Sequence, residues 1–451
     1  MGFQVTLVAS ALAVGLATAS VGGAQGQSIT QALTIAYDHA PDLQSALLSA
    51  KSAAENVALA EAGKRPTIGA SISGAHNWNL VGGSLSESNS LTTGLSYNQT
   101  VFDNFKTDAQ IEQARAGAEA AEHQIRNTEQ NILLAVVQAY MSVLGDRQLV
   151  ALRQENLSFY QAQLQSTRAR LEVGEGTRIE VAQAEARLAQ GDAAYRAAVN
   201  SLEISQATFQ RYVGVAPQNL QASHSFSDLI PNSLQGAIAE AESGHPAILL
   251  AKAAIRAAQA NTDSAQASFG PTATVTGSVG SRYTGGPTDG FSGSLGFQIT
   301  IPLYAGGALG ANVRKANIEQ IRSEVDAMSA YDQIREAVIS AWAGIQSADA
   351  QISAANSAVA AGTTVLEGVV QERDLGTRTT LDVLNSQAEL SSAREAVINA
   401  STNKVIATFS LLAAMGRLTA TDLGLPVEVK SAVRYNQVVD DVWQELRTVA
   451  Q

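Results

Sequence analysis

The sequence predicts a mainly helical protein with a transmembrane β part, in which a unit of strands and long helices occurs twice. Two observations lead to this prediction. The 451-residue chain resembles itself at an offset of about 200 residues. Each copy contains two segments in which apolar and polar residues alternate, followed by a proline-free helical stretch too long for a globular domain.

The N-terminal segment has the pattern of an export signal. An apolar run from Val5 to Ala17 is followed by small residues, with possible cleavage sites at Ala19 and Ala24. We therefore expect a secretory signal peptide over residues 1–24, although no Lys or Arg precedes the apolar run. A membrane anchor is the alternative, which the shortness of the run and its Gly and Ala content disfavour.

Composition and charge exclude several functional classes. The chain has no cysteine, so disulfides and thiolate metal sites are excluded. Its formal net charge is −12 without a run of Lys or Arg, so we expect no nucleic-acid partner. The sequence shows no nucleophile elbow, HExxH pattern or phosphate-binding loop. It therefore predicts a protein that is not an enzyme, without catalytic residues, a metal site or a cofactor.

Internal repetition sets the division of the chain. Each copy opens with a short helix, a turn marked by Pro41 or Pro246, and a second helix. The predicted divisions are a first copy at 25–216, a linker at 217–233, a second copy at 234–416 and a C-terminal belt or tail region at 417–451.

Four segments are strand candidates, because apolar residues alternate along them with small or polar ones. Strands of this length suit a membrane barrel, and the alternative is a soluble hairpin with one face on a core. The expected strands lie at about 66–80, 91–103, 271–284 and 291–304, joined by a polar loop at 81–90 and a Gly-rich loop at 285–290.

Aromatic residues cluster in or beside these strands. Such residues are typical of the girdle where a barrel meets the surface of a lipid bilayer, and the alternative is again a soluble core. The girdle candidates are Trp78, Tyr97, Phe102, Tyr283, Phe291, Phe297 and Tyr304.

The helical stretches carry heptad repeats, in which residues such as Ile111, Ala118 and Ile125 recur every seven positions. Sustained heptads favour a left-handed coiled packing. A helix of roughly 65 residues is about 100 Å long, which fits a rod or a tube. The expected helices lie at about 105–173, 177–212, 308–375 and 379–415, with bends into the long ones at Asn104-Phe105 and Gly306-Gly307.

The strands of one chain are too few to close a barrel. Single-chain membrane barrels start at about eight strands, and an open sheet edge in lipid leaves N–H and C=O groups unpaired. Two copies would supply eight strands, three twelve and four sixteen. We predict a homotrimer, in which three copies form a 12-stranded β-barrel and add their helices to a common cylinder.

Two short stretches join the helices in pairs. Gly174 and Gly376 interrupt the helical pattern, and Thr177 and Thr379 follow them. Glycine permits a positive φ at a helix C-terminus, and threonine caps the next helix. Each stretch therefore predicts the tip of a helical hairpin.

The tip sequences at 173–188 and 375–384, the duplicated strand–helix order and the proline-free hairpins resemble the TolC-type outer membrane channels, especially those of type I secretion. The resemblance covers about residues 29–416. It implies a trimeric 12-stranded β-barrel continued by a 12-helix coiled α-barrel tunnel. It also implies an exit duct for type I protein secretion or multidrug efflux, placed in the outer membrane of a Gram-negative bacterium and extending into the periplasm.

The resemblance further implies a periplasmic gate formed by the tips. The family arginine that helps to hold the gate corresponds to Arg378, and a carboxylate of the narrowest ring corresponds to Asp382. A second ring carboxylate is replaced by Asn385, which implies fewer negative charges, and a position that can be aromatic is Arg373. Glu180 is the first-copy counterpart of Asp382. The adaptor-docking tips are Gly174, Thr177, Arg178, Gly376 and Thr377.

From the residues alone, the alternative for Asp382 is an ordinary helix cap and that for Arg378 a solvated surface charge. The partners that the resemblance implies are a periplasmic adaptor protein and an inner membrane pump of the ABC, RND or MFS type. The rival interpretation of the whole chain is an exported coiled-coil scaffold or periplasmic spacer without a pore, which would need no lipid-facing strands.

Overall fold

The structure, a computed structural model, describes residues 27–221, 229–284 and 289–440. The predicted signal peptide and the end of the C-terminal tail, residues 441–451, lie outside the described residues. Most of the expected loop at 285–290 also lies outside them.

The chain contains the same order of elements twice. Corresponding helices match in length, with 11 residues in α1 and α5, 22 in α2 and α6, and 67 in α3 and α7. The first half is α1 (Ile29–His39), α2 (Pro41–Ala62), β1 (Thr67–Val81), β2 (Ser84–Phe102), α3 (Lys106–Glu172) and α4 (Arg178–Val213). The second half is α5 (Leu234–Gly244), α6 (Pro246–Ala267), β3 (Thr272–Tyr283), β4 (Gly290–Thr300), α7 (Ala308–Asp374) and α8 (Thr380–Ala414), followed by α9 (Val433–Asp440).

The expected polar loop at 81–90 is wrong. Only Gly82 and Gly83 form the turn, with φ values of 59° and 87°, and β2 already begins at Ser84. Two positive φ angles suit a two-residue hairpin, whose twist matches that of the strands. The Ser- and Asn-rich stretch resembles a loop in sequence because this part of the hairpin is exposed on both faces.

The last strand also ends earlier than expected, at Thr300 and not near 304. Pro302 lies in the stretch after Thr300 that was expected to continue the strand, and a proline has no N–H to donate to a strand ladder.

The strands form one antiparallel sheet in the order β1-β2-β3-β4. Directly paired residues point to the same side, so the register sorts the side chains into two faces. One face is apolar and exposed, with Leu295 83% exposed, so the alternative of a hairpin packed on a core of its own chain is wrong. This apolar face includes Ile68, Ile72, Leu95, Val279, Leu295 and Phe297, and the opposite polar face includes Ser71, Ser73, Thr92, Ser96, Ser278 and Ser294.

Tight bends lead from the sheet into both long helices. Asn104 and Phe105 precede α3 with φ values of 57° and 66°, and Gly306 and Gly307 precede α7 with 61° and 85°. Asn104 donates from Nδ2 to the Ala267 carbonyl oxygen at 3.1 Å, which ties the first bend to α6. The left-handed conformation is favourable for Asn and Gly and less so for Phe, so the first copy needs this support more than the second.

The two long helices form the spine of the molecule. Each has 67 residues, and α3 packs against α2 and α6 along one part and against α4 and α8 along the rest. The heptad residues Ile111, Ala118 and Ile125 are buried, as their spacing predicts. Over the described ranges, none of the helices combines the length and the apolar character needed to cross a membrane.

A core of apolar residues lies near the middle of α3, where α1 packs against α3 and α4. The core there includes Leu33 and Tyr37 of α1, Leu133 of α3 and Phe209 of α4. The C-terminal segment closes this core, because Glu129 Oε1 accepts the Ala420 N–H at 2.6 Å. It continues along α3 and α2, where Glu122 accepts from the Ala432 N–H at 2.9 Å and Tyr435 donates to Glu55 at 2.6 Å.

His245 joins two helices at the same level. Its Nδ1 accepts the Ala247 N–H at 3.1 Å, which caps the start of α6, and its Nε2 donates to the Ala413 carbonyl oxygen of α8 at 3.2 Å. These bonds require the neutral imidazole, since protonation would convert Nδ1 into a donor facing another donor. Burial lowers the pKa of His245, and the bond to Ala413 opposes this shift only in part.

Acid should therefore weaken this joint. The folded state favours neutral His245, so its stabilising effect is complete above the ordinary histidine pKa of about 6.5 and decreases as the pH falls below it. We expect the thermal midpoint, followed by circular dichroism in detergent, to fall between pH 7.5 and 5.5 by less in His245→Asn than in the wild type. Asparagine also caps a helix but does not titrate.

Replacement of the exposed His39 by Asn is the control and should leave the wild-type pH dependence unchanged. If the thermal midpoint depends on pH equally in the wild type and in His245→Asn, the hydrogen bonds of His245 do not cause the loss of stability in acid.

Candidate functional site

The α3–α4 tip is a glycine turn closed by backbone bonds. Gly174 has a φ of 83°, and the next residue, Glu175, donates its N–H to the Arg170 carbonyl oxygen at 2.9 Å. This bond satisfies a carbonyl left free at the helix end. Thr177 then caps α4 through a capping box with Glu180, as the sequence predicts.

The α7–α8 tip repeats this geometry. Gly376 has a φ of 79°, and Thr377 donates its N–H to the Glu372 carbonyl oxygen at 2.9 Å. Thr379 forms a capping box with Asp382 at the start of α8. The two hairpins therefore end in the same local structure, although their loop sequences differ.

Asp382 is a helix cap in this structure. Its Oδ2 accepts the Thr379 N–H at 2.9 Å and the Thr379 hydroxyl at 2.8 Å. The backbone bond from Thr379, then its hydroxyl, then the charge of Arg378 lower the pKa of the Asp382 carboxyl. The cap thus holds a negative charge at the end of the hairpin at neutral pH.

Glu180 holds the same position at the first tip. Burial by itself raises the pKa of the Glu180 carboxyl, but the bonds from Thr177 outweigh it, so the net shift is downward. Its Oε2 accepts the Thr177 N–H at 2.8 Å. Its Oε1 accepts the Thr380 hydroxyl at 3.4 Å, which is a contact with the second hairpin.

Arg378 pairs within its own tip. Its Nε donates to Glu372 Oε2 at 2.8 Å, and both side chains are about half exposed. The bond to Glu372 raises the pKa of the Arg378 guanidinium. Exposed pairs of this kind contribute little to stability because water and salt screen them, so Arg378 can exchange its partner at little cost.

Arg373 differs from the other candidates, because it is buried. Its Nη2 donates to Asp374 Oδ1 at 2.7 Å, while Nη1 is buried and has no partner among the described residues. A buried donor without an acceptor is costly, so Arg373 places an unsatisfied group under the second tip.

The structure brings the two hairpins together at Asn385. Its Oδ1 accepts a hydrogen bond from Nη2 of Arg187 in α4 at 2.7 Å. Reasoning from the sequence identified Asn385 but missed Arg187. Its spacing along α4 could have identified Arg187 from the sequence, because it follows Glu180 by two helical turns and so lies on the same helix face.

Above this point, α8 is bonded to α3. Gln387 Nε2 donates to Asn156 Oδ1 at 3.0 Å in a buried pair, and Arg394 donates to Glu155 at 2.8 Å. Buried amide pairs are specific, because an unpaired amide would lose its hydrogen bonds to water. The start of α8 is therefore attached to both helices of the first hairpin.

Three further tip residues are exposed. Thr177 and Arg178 lie at the first tip and Thr377 at the second, each beside its turn glycine. Apolar side chains surround them, and Leu375 is 81% exposed. Exposed apolar residues at the end of a hairpin are typical of a contact surface. Val173 and Ile179 are the corresponding exposed apolar residues of the first tip.

The aromatic candidates form two groups on the apolar face of the sheet. Trp78, Tyr283 and Phe291 lie toward the hairpin turns, whereas Tyr97 and Phe297 lie toward the helices. A bulge between Thr100 and Phe102 brings Phe102 to the helical group, because it pairs there with Ala273 on the apolar face. Tyr304 follows β4 and is exposed.

Over the described ranges, no group of three or more His, Cys, Asp or Glu side chains is arranged to hold a metal ion. The geometry of the tips instead offers charged, exposed groups on rigid helix ends. Such an arrangement can bind another protein chain or set the charge of an opening.

Comparison with known proteins gives a consistent result. The family model described as "outer membrane efflux protein" matches residues 32–215 and 237–417, one segment in each half. Outer membrane efflux protein BepC of Brucella suis biovar 1 (strain 1330) is 37% identical over 450 residues, which cover 98% of this chain and 97% of BepC. Outer membrane protein TolC of Escherichia coli (strain K12) is 26% identical over 356 residues, with 74% and 71% of the two chains covered.

Among solved structures, the CmeC outer membrane channel of Campylobacter jejuni has a TM-score of 0.80 at 16% identity. The superposition covers 93% of this chain and 90% of CmeC. At this identity the likeness concerns the fold, and it extends over sheet and helices together.

Proposed function

The chain belongs to the outer membrane efflux protein family, as its tip motifs predict, and we propose that it forms a trimeric exit duct through the periplasm and the outer membrane. Its place is the outer membrane, and its role is that of a channel for efflux or secretion. The observation that carries the trimeric duct is an unclosed sheet, apolar on one face and polar on the other, continuous with two 67-residue helices.

Three copies would satisfy the sheet. β1 and β4 are its outer strands, and a lipid environment leaves no partner for their free backbone groups. α2 leads into the edge strand β1, and α7 follows the edge strand β4. The two edges of the sheet are therefore continuous with the two helices at the edges of the helical part, α2 and α7. Pairing of β4 with β1 of the next copy gives a twelve-stranded barrel, with the apolar face toward lipid and the polar face toward the lumen.

An apolar stripe on α7 supports this assembly. Ile318, Ile321, Val325 and Met328 are exposed and follow the spacing of a coiled-coil seam. On the opposite side, α2 exposes Leu59. We infer that α7 of one copy packs against α2 of the next, directly below the junction of β4 and β1.

Introducing a charge into this stripe should weaken the trimer. Ile318 is 65% exposed in the single chain, so Ile318→Asp should leave the fold of one chain intact while placing a carboxylate in the interface. We expect a loss of trimer, measured by light scattering after size-exclusion chromatography in detergent. Asn317→Asp adds the same charge one residue away, off the stripe, and should remain trimeric. Trimers of equal stability in both variants would contradict this interface.

The aromatic groups fit a bilayer. Val275, paired with Phe297, and Tyr283 lie eight residues apart on β3, which corresponds to about 26 Å along the strand. The apolar band of outer membrane barrels is about 25 Å tall with aromatic residues at both borders. Trp78, Tyr283 and Phe291 would form the outer girdle, and Tyr97, Phe102, Phe297 and Tyr304 the inner one, in contact with outer membrane lipid.

The tips would form the gate. In a trimer, the ends of α8 bring three copies of Asp382 around one axis, and each capping box holds its carboxylate charged. Arg378 lies beside Asp382 at the same tip, and its exposed pair with Glu372 is weak enough to be exchanged. Contacts of Arg378 between tips would keep the ring closed until another protein displaces them. Arg373 at the end of α7 and Glu180 of the neighbouring hairpin would support this ring.

The partner that opens the gate would be a periplasmic adaptor protein. The exposed apolar residues Val173 and Leu375, beside the glycine turns, offer it a docking surface of two adjacent hairpin ends. Gly174, Thr177, Arg178, Gly376 and Thr377 would border this surface. An inner membrane pump of the ABC, RND or MFS type would supply the energy and select the cargo, and the duct itself would act without catalysis.

Conductance in planar bilayers tests the gated duct. We expect long-lived, cation-preferring openings of the wild type, larger or more frequent openings in Arg378→Ala, and weaker cation preference in Asp382→Asn. The reason is that the first change removes a link of the closed ring and the second removes a negative charge from it.

Glu372→Ala separates the two roles of Arg378. If Arg378 acts only through its pair within the tip, Glu372→Ala should open the channel as much as Arg378→Ala. If Arg378 links different copies, Glu372→Ala should open it less. Folded wild-type protein without any conductance would exclude the duct and favour a scaffold without a pore.

A further inference from the structure

We propose that Arg187 reduces the cation preference that Asp382 gives the gate and that its hydrogen bond to Asn385 latches the two hairpins of each chain together. This inference rests on the proposed duct and assigns a role to a residue of the same site. It places a positive charge beside Asn385, three residues along α8 from the Asp382 carboxylate.

The bond joins the two hairpins directly. Arg187 lies on α4, and its Nη2 donates to Asn385 Oδ1 of α8 at 2.7 Å. Its Nη1 donates to Gln190 Oε1 on its own helix at 3.2 Å, which fixes the plane of the guanidinium. Both Arg187 and Asn385 are partly buried, so water competes for this bond less than at the exposed tip.

The charge of Arg187 stays uncompensated. Both of its hydrogen-bond acceptors are neutral amides, and no carboxylate of the described part of the chain lies within salt-bridge distance of it. The nearby Glu185 is already paired with Arg168 at 2.7 Å. An arginine side chain remains protonated at any physiological pH. Arg187 therefore adds a full positive charge to the lower end of the hairpins.

The position of this charge matters for ions. Asn385 follows Asp382 by three residues on α8, which is a rise of about 4.5 Å along the helix. In a trimer, a ring of Asp382 carboxylates at the tips would be followed, about one helical turn higher, by a ring of Arg187 guanidinium groups. Opposite charges so close together partly cancel in the potential that a passing ion meets. The cation preference of this duct is thereby reduced.

The same bond restrains opening. α4 and α8 meet at the tips through two side-chain contacts, Arg187 to Asn385 and the longer one of 3.4 Å between Thr380 and Glu180. The contacts higher on α8, such as Gln387 to Asn156, go to α3. When the end of α8 moves away from α4, these two contacts break, and the shorter Arg187 bond is the stronger of them, whereas the contacts to α3 persist. The latch therefore lies below the point at which α8 is anchored.

Substitutions at the two ends of the bond separate charge from latch. Arg187→Gln removes the charge but keeps a donor, and Asn385→Ala removes the acceptor but keeps the charge. Arg187→Lys keeps the charge and loses the planar fork. Arg196→Gln is the control, because Arg196 is on the same helix and pairs with Asp192 of that helix at 2.8 Å.

Reversal potentials in a KCl gradient and open times in planar bilayers measure the two effects in full-length trimers. We expect Arg187→Gln to raise the ratio of cation to anion permeability about twofold, and Arg187→Lys and Arg196→Gln to leave it unchanged. We expect Asn385→Ala to raise the ratio of open to closed time about tenfold without a change of selectivity. Light scattering and thermal unfolding confirm that each variant is a folded trimer.

The outcomes are distinguishable. Equal selectivity of Arg187→Gln and Arg196→Gln would overturn the assignment of charge, and an unchanged open time in Asn385→Ala would overturn the latch. Both results are compatible with a working duct in which Asp382→Asn and Arg378→Ala behave as expected. A wild type that does not conduct would overturn the proposed function and this inference together.

Discussion

The free edges of β1 and β4 set the constraint on which the rest of the structure depends. A sheet of four strands with an apolar face cannot end in lipid, because the backbone groups at its edges would lack partners. In the proposed trimer, neighbouring copies would supply the partner strands. α2 leads into β1 and α7 follows β4, so the same two sides of the chain continue into the helical part. In the proposed trimer, one interface would close both barrel and tunnel, so a change in the barrel would affect the tunnel as well.

Because the chain is duplicated, each hairpin tip and each helix joint occurs twice, and the differences between the two copies are informative. The tips share a left-handed glycine and a threonine capping box. The helix joints differ, since the N-cap of α2 is Ala40, which makes no side-chain bond, whereas that of α6 is His245, which bonds two helices. The structural divergence is therefore found at the helix joints, and less in the tip geometry and in the lengths of the helices.

The gate candidates illustrate that a structural and a functional role can coincide. Asp382 is a cap, which was the simpler of its two interpretations, and the same bonds that make it a cap hold its charge in place. A carboxylate fixed by two hydrogen bonds gives a more defined field than a mobile side chain. Arg378, in contrast, has a weak and exposed partner, which suits a contact that must be exchanged.

Local signals in the sequence determined the helices, the caps at Thr177 and Thr379, and the alternation of the strands, because heptads, glycine turns and period-two patterns act over a few residues. They failed at 81–90, where a strand exposed on both faces has the composition of a loop. The tertiary structure alone decided that Arg187 meets Asn385 and that Arg373 is buried. These contacts depend on how two hairpins, separated by some two hundred residues of chain, lie against each other, and no local pattern records that relation.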